Sequence, residues 1–173
     1  MRKYFAILLL VIGGYTNADA QVTDSLQAQL LRKWINAKAY TLSLAELIPE
    51  QEYDFKPVPE EMSVREQLMH IAQNIKWLSS SYLSIKVPNE KKDSLPKSKA
   101  EILKIVADAY NYGAMAHQQL LTSQLDEMVT FFAGPKSKRQ ILVLMHDHQG
   151  HHMGQLIVYA RLRGIKPPPY IGW

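Results

Sequence analysis

The histidines are the residues of this chain whose spacing is most informative about chemistry. Four of the six lie close together near the carboxyl end, at His146, His148, His151 and His152. Only His148 and His152 stand four residues apart, so on a helix their imidazoles lie one turn apart on the same face. Such a pair can bind one divalent metal ion. Two ligands are too few for a tight site, so a third is expected from another helix.

The third ligand must come from elsewhere in the chain. His70 is the best candidate, because His117 is the only other histidine outside the cluster. His70 shares a helical stripe with Gln67, Asn74 and Trp77, offset from the apolar seam of its own segment. That stripe can face either a neighbouring helix or water, so the spacing leaves both placements open.

Other interpretations of the histidines also stay open. A single buried histidine is commonly a satisfied core residue, and a histidine-rich tract can be a loose surface metal binder or have no role. His146 and His151 fall off the line through His148 and His152 and are expected at the flank or in solvent. Asp147, four residues before His151, can pair with it.

Four segments with helical periodicity position these side chains, and together they predict an all-α four-helix bundle. The first is expected from Asp24 to Leu47, stopped by Pro49. The start signals of the other three are the Ser63–Glu66 and Ser98–Glu101 capping boxes and the weaker Ser137–Gln140 pair. Gly164 and the prolines 167–169 end the last helix. Trp34 and Trp77 are expected in the core or in the wall of a pocket.

The connections between these segments are proline-rich or polar. Residues 49–62 and the lysine-rich stretch 86–97 are expected to be loops. Residues 128–132 form a short β-compatible run, expected to be irregular or a single extended segment before Gly134 and Pro135.

The first twenty residues resemble an export signal rather than part of the fold. Arg2 and Lys3 precede an apolar run from Tyr4 to Gly14, and Ala18-Asp19-Ala20 is an A-x-A cleavage site. The alternative, an N-terminal membrane anchor, needs about 20 apolar residues. The sequence therefore predicts a cleaved signal peptide, 1–20, a bundle domain, 21–173, and a periplasmic or secreted location. No stable membrane insertion is expected once the signal has been removed.

The composition of the chain excludes some classes of catalytic group and metal ligand. The 173 residues carry a formal net charge of +4 and contain no cysteine, which excludes a protein thiol nucleophile or a thiolate metal ligand. The lysines and arginine of the 86–99 and 136–139 segments can form an anion-attracting patch, but a solvated face is the favoured interpretation. A nucleic-acid partner is not expected for an exported chain with so mild a charge.

Six short motifs resemble those of one known family. They are Leu44-Ala45-Glu46-Leu47-Ile48-Pro49-Glu50, Tyr53-Asp54-Phe55-Lys56-Pro57-Val58-Pro59, Leu68-Met69-His70-Ile71-Ala72, His148-Gln149-Gly150-His151-His152-Met153-Gly154-Gln155-Leu156, Tyr159-Ala160-Arg161 and Gly164-Ile165-Lys166-Pro167-Pro168. In order and spacing they resemble the DinB/YfiT-like metalloenzymes over nearly the whole mature chain.

The resemblance implies a four-helix bundle that binds a divalent ion through His70, His148 and His152. Nickel or zinc is the expected metal, with manganese or iron as alternatives. Some members of this family are thiol-dependent transferases or isomerases. Two departures weaken a direct transfer of that activity: Met153 stands where the family often has arginine, and an exported protein is away from cytoplasmic thiol cofactors. The family's name implies no DNA binding.

The expected function is that of a metal-dependent hydrolase or thiol-dependent transferase acting on an unidentified small molecule. Gln155, one turn from His152, is the candidate for orienting a bound species, or else a buried amide with a structural hydrogen bond. No general base stands out. The alternatives are a non-enzymatic metal- or ligand-binding bundle and a structural or dimerising bundle, for which a homodimer is the natural form.

Overall fold

Four α-helices dominate the computed structural model, which describes residues 25–87 and 98–173. The helices are α1 (Leu26–Leu47), α2 (Val64–Tyr82), α3 (Lys99–Gln119) and α4 (Lys138–Leu162). Short 3₁₀ turns, Glu50–Glu52 and Thr122–Gln124, lie in the connections after α1 and α3. The predicted all-α four-helix architecture is thus confirmed. The proposed signal peptide and most of the lysine-rich 86–97 segment lie outside the described residues.

The helix starts follow from local side-chain hydrogen bonds. Ser63, Ser98 and Ser137 each accept a backbone N–H of the first turn, and their partners at the third helical position close the reciprocal bond. All three predicted capping pairs are therefore present, including the weaker one to Gln140. The first helix begins at Leu26, after a Ser25 cap, rather than at Asp24. Gly164 ends α4 with a φ of 72°, a left-handed conformation that glycine adopts without steric penalty.

The connection between α3 and α4 contains a small sheet that the sequence did not predict. Strands β1 (Met128–Val129) and β2 (Lys136–Ser137) pair antiparallel, with Met128 opposite Ser137. The run was expected to be irregular or a single extended segment. Gly134, at a φ of 89°, lets the chain turn back so that the two short strands meet.

The core is centred on α3, which packs extensively against both α1 and α2, while α2 also packs on α4. Trp34 is completely buried, as predicted, and its indole N–H donates to the Tyr110 carbonyl at 2.9 Å. Gly113 lies beneath that indole, and a Cβ atom there would stand 2.3 Å from Cζ2 of Trp34. Only glycine permits α1 and α3 to approach this closely. By contrast, α1 and α4 pack less extensively than these three helix pairs, which leaves a groove between them.

Two surface features differ from the sequence-based expectation. Trp77 is 38% exposed and stacks in an aromatic group with Tyr82, Phe131 and Phe132 rather than in the core. The basic residues around the start of α4 were expected to form a solvated face, but they are paired with acidic residues.

Those basic side chains are held by neighbouring carboxylates. The ammonium group of Lys138, nearly buried, lies 2.5 Å from a Glu127 carboxylate oxygen, and Arg139 pairs with Asp126 at 3.0 Å. These ion pairs fasten the small sheet to the first turn of α4. Among the described helices, none combines the length and the apolar character needed to cross a bilayer.

Candidate metal centre

Three imidazoles from two helices meet where α2 packs on α4. His148 and His152 project from successive turns of α4, and His70 projects from the facing side of α2. The Nε2 atom of His148 lies 3.1 Å from Nε2 of His70 and 3.3 Å from Nε2 of His152. His152 is buried, and the other two are half-buried. The structure thus brings together the three residues predicted from spacing and family resemblance.

The separations between these nitrogens suit a shared metal ion. Two nitrogens at about 2.0–2.1 Å from one ion lie roughly 2.9–3.4 Å apart for angles between octahedral and tetrahedral. The observed 3.1 Å and 3.3 Å fall within that range. One ligand atom from each residue lies within 4.8 Å of the others, so the donor set can hold one ion. The residues therefore fit a divalent metal.

A second layer of hydrogen bonds sets the orientation of His152. Its Nδ1–H donates to Oε1 of Gln67 at 2.5 Å and to Oε1 of Gln155 at 3.1 Å. The Gln67 amide nitrogen donates in turn to the Tyr159 hydroxyl at 3.3 Å, which assigns the amide oxygen to the histidine. With the proton on Nδ1, the Nε2 atom of His152 keeps its lone pair and faces the other imidazoles. Second-layer partners of this kind are common at metal-ligating histidines.

The electrostatics favour the neutral form of His148 and His152. Burial, followed by the charges of the neighbouring His152 and His70, lowers the pKa of His148 to about 4. Burial is also the largest cause of the lowered pKa of His152, with His70 adding to it. A neutral imidazole offers the lone pair that a metal needs, whereas a protonated one does not. His148 and His152 are therefore in their ligating form near neutral pH.

Two shallow depressions open beside the cluster and share one carboxylate, Glu61. One is bordered by His70, Met69 and acidic side chains including Glu66, and the other by Gln155 and Tyr159. Glu61 also acts on the Tyr159 hydroxyl, whose pKa is raised first by burial and further by this carboxylate. Sequence reasoning missed Glu61 because it lies in the irregular 49–62 connection, where no periodicity indicates which way a side chain faces.

Gln155 borders one depression, but its carbonyl oxygen contacts the Nδ1 edge of the His152 ring. Nδ1 is a different ring nitrogen from Nε2, which faces the other imidazoles. The geometry therefore places Gln155 behind a ligand rather than in front of the ion, in the structural role that the sequence left as one of two alternatives. Arg161, another member of the closing motif, is exposed near the end of α4.

Of the three remaining histidines, His117 is buried, His146 is half-buried and His151 is exposed. His117 is 3% exposed and stacks with His146 at a centroid distance of 5.0 Å, both against Trp34. His117 therefore does not replace His70 in the cluster. His146 is half-buried, which agrees with the expected flank position rather than with solvent, and both of its ring nitrogens are buried. His151 is exposed, and no ion pair joins it to Asp147 in the part of the chain that the structure describes.

Comparison with known proteins shows the family to which the chain belongs. A model of the DinB family matches residues 17–172. This chain belongs to the DinB family. The Bacillus subtilis (strain 168) protein YjoA is 30% identical to it over 150 residues, covering 82% of this chain and 94% of YjoA. The family resemblance read from the motifs is confirmed, whereas metal binding, catalysis and export stay predictions.

Solved DinB-like structures share the fold. The crystal structure of Bacillus subtilis YjoA superposes with a TM-score of 0.68 at 22% identity, covering 82% of this chain and 96% of YjoA. A DinB-like protein from Bacillus cereus ATCC 10987 gives 0.73 at 21% identity, over 86% and 99% of the two chains. At these identities the likeness shows a common DinB-like bundle.

Proposed function

We propose that this DinB-family protein binds one divalent transition-metal ion through His70, His148 and His152 and catalyses a hydrolysis or a thiol-dependent transfer. The observation that carries the proposal is the convergence of three Nε2 atoms at 3.1 Å and 3.3 Å spacing, with the buried ligand oriented from behind by Gln67. A histidine pair used only for core packing has no need of a third imidazole directed at the same point.

The donor set indicates which metal would be held. Three imidazole ligands, with no thiolate and no carboxylate among them, suit nickel or zinc, and also manganese or iron with lower affinity. When bound, an ion with three protein ligands leaves positions for water or for a substrate thiol or oxygen, where it lowers a pKa or polarises a carbonyl.

The protein's own groups around the cluster have distinct tasks. Gln67 and Gln155 hold the His152 ring in the tautomer that directs Nε2 toward the other ligands. Glu61, which borders both depressions, is the carboxylate available to accept a proton from a substrate entering either one. The Tyr159 hydroxyl, between Gln67 and Glu61, can donate a hydrogen bond to that carboxylate and so position it.

Metal binding is tested with a matched pair of histidine variants. Chelator-stripped protein should take up about one zinc or nickel ion per chain, measured by calorimetric titration and by metal analysis after gel filtration. His152→Ala should abolish this uptake, whereas His151→Ala, the adjacent exposed histidine, should retain it. The bundle buries enough apolar surface to fold without metal, so helix content should be nearly unchanged in both variants. Equal losses in both variants, or no uptake by the parent, would contradict the proposal.

Catalysis needs a separate measurement. Zinc- and nickel-loaded protein is assayed against activated esters, amides and electrophilic acceptors, with and without low-molecular-weight thiols. Turnover that disappears in His152→Ala and falls at least tenfold in Glu61→Gln supports the enzyme proposal. Metal binding with no turnover in this screen favours the non-enzymatic metal-binding bundle instead.

A further inference from the structure

A second cavity lies on the face of α4 turned away from the histidine cluster, in the groove between α1 and α4. Its volume is about 260 Å³, and its walls contain none of the three clustered histidines. Lys33, Ala37 and Tyr40 of α1 form one side, α4 forms the other, and residues 170–172 of the carboxyl-terminal segment form the rim. The cavity is therefore a separate site, with its own opening.

Two glycines of α4 create room in this groove. Gly150 and Gly154 stand one turn apart along its wall, and a Cβ atom built on either would meet nothing within 4 Å. Glycine in a helix interior costs about 1 kcal/mol relative to alanine. Close helix packing does not require either glycine here, in contrast to Gly113 beneath Trp34. Their effect is to keep the groove open.

The carboxyl-terminal segment covers the outer side of the cavity. The Tyr170 ring meets the Tyr40 ring edge-to-face at a centroid distance of 5.8 Å. The Lys33 ammonium lies 4.9 Å from the centroid of a Trp173 ring. These contacts turn an open groove into a concave pocket with aromatic walls.

The polar side chains Lys33, His146 and Gln149 line the cavity and differ in what they offer a ligand. Both ring nitrogens of His146 are buried without a hydrogen-bond partner in the structure. No carboxylate of the described residues lies within 4.0 Å of the Lys33 ammonium, although Asp147 borders an adjoining depression with it. Gln149 is already satisfied by the Tyr110 hydroxyl and the His146 carbonyl. The Lys33 ammonium, which faces the Trp173 ring, is thus available to pair with an anionic ligand.

From this arrangement we infer that the cavity binds a small monocarboxylate with an apolar body. Its carboxylate would pair with the Lys33 ammonium, and its apolar part would lie against Ala37, Met153 and Ile157. Lys33 supplies only one positive charge, and the Asp147 carboxylate of the adjoining depression would repel a second negative charge on the ligand. The ligand should therefore carry one negative charge rather than two. The volume is below the roughly 300–1,000 Å³ of drug-sized pockets, which indicates a compact ligand.

The probes are phenylacetate and hexanoate, with phenylacetamide as the neutral analogue of the first, titrated calorimetrically into chelator-stripped full chain. At least one carboxylate should bind with a Kd below about 1 mM, and phenylacetamide at least tenfold more weakly than phenylacetate. Failure of both carboxylates to bind, or equal binding of the amide, would overturn the inference.

Variants locate the binding. Lys33→Gln should weaken it about tenfold, while Lys104→Gln, an exposed lysine of α3, should leave it unchanged. Gly150→Leu should block the cavity, and Gly154→Leu serves the same purpose if the first variant does not fold. His152→Ala should keep full carboxylate binding. Loss of binding in His152→Ala, or none in Lys33→Gln, would mean that the carboxylate binds at the histidine cluster or elsewhere, and the inference would fall.

Discussion

The Nδ1 atom of His152 on α4 lies 2.5 Å from the Oε1 atom of Gln67 on α2. This hydrogen bond joins the two helices behind the candidate metal ligand, and Gln67 is itself almost completely buried. This hydrogen bond fixes both the tautomer and the rotation of the His152 imidazole. A metal would therefore meet a ligand that is already oriented.

Replacing Gln67 with leucine should weaken metal binding without unfolding the bundle. The side-chain volume is retained, but the His152 ring loses its main acceptor, and such changes behind a ligand lower metal affinity by about 10–100-fold. Competition titration with a zinc or nickel indicator measures the change. Gln73→Leu, an exposed glutamine on the same helix, is the control, and a similar loss there would mean that the hydrogen bond does not orient the ligand.

Metal affinity in the parent should fall as the pH drops toward the pKa of His148. Free imidazole titrates near 6.5, but burial lowers this histidine to about 4, so protons compete with the metal only at more acidic pH. A plot of log zinc affinity against pH should therefore become steeper below roughly pH 5, where His148 begins to bind its proton. A slope that stays constant below about pH 6 would mean that His148 titrates as it would at a solvated surface site.

Much of the fold could be predicted because its signals are local. Ser63, Ser98 and Ser137 are each followed at the third position by a side chain that closes a capping box, and Gly164 ends α4 where expected. The short pairing of β1 with β2 is different. Four strand residues carry too little periodicity to show that two segments meet, so only the structure reveals it.

The site was predictable only in part, for the same reason. The spacing of His148 and His152 places both on one helix face, but the contact with His70 depends on how α2 packs on α4. His70 was the best candidate outside the histidine cluster, and the family resemblance implied the same residue. The burial of the His146 ring nitrogens was not predictable, because helical phase says which face a residue occupies and not what covers that face. The covering residue is Trp34 of α1, whose ring centroid lies 5.1 Å from that of His146.

The predicted export signal, which lies outside the described residues, can be tested directly. Expressed with its full sequence in a bacterium with two membranes, the protein should be recovered from the periplasmic fraction with Gln21 as its first residue. Intact mass measurement decides this. Leu9→Arg, which interrupts the apolar run, should block processing and leave the full-length chain in the cytoplasm. Retention of residues 1–20 in the parent would support the membrane-anchor alternative.

Gly113 and Gly154 should respond oppositely to alanine. A methyl group at Gly113 would stand 2.3 Å from the Trp34 ring, so Gly113→Ala forces α1 and α3 apart and should lower the free energy of unfolding by about 1–3 kcal/mol or more. Gly154→Ala meets open space inside α4 and should raise it by about 0.5–1 kcal/mol. Urea unfolding of metal-free protein measures both. Equal effects would contradict the close approach of Trp34.

His117 should make the metal-free protein sensitive to acid. Burial, followed by the charge of His146, lowers its pKa in the folded state from 6.5 to about 3, so the unfolded chain binds the proton first as the pH falls. The neutral imidazole makes its full contribution to the free energy of unfolding above pH 6.5. Between pH 6.5 and about pH 3 this contribution falls by roughly 1.4 kcal/mol per pH unit. His117→Leu, which leaves an apolar group beside Trp34, should therefore lose less unfolding free energy than the parent between pH 7 and pH 5. Urea unfolding at the two pH values measures the difference, and the exposed His151→Ala variant should retain the parent's slope. If His117→Leu also retained it, the acid sensitivity would have to come from groups other than this buried imidazole.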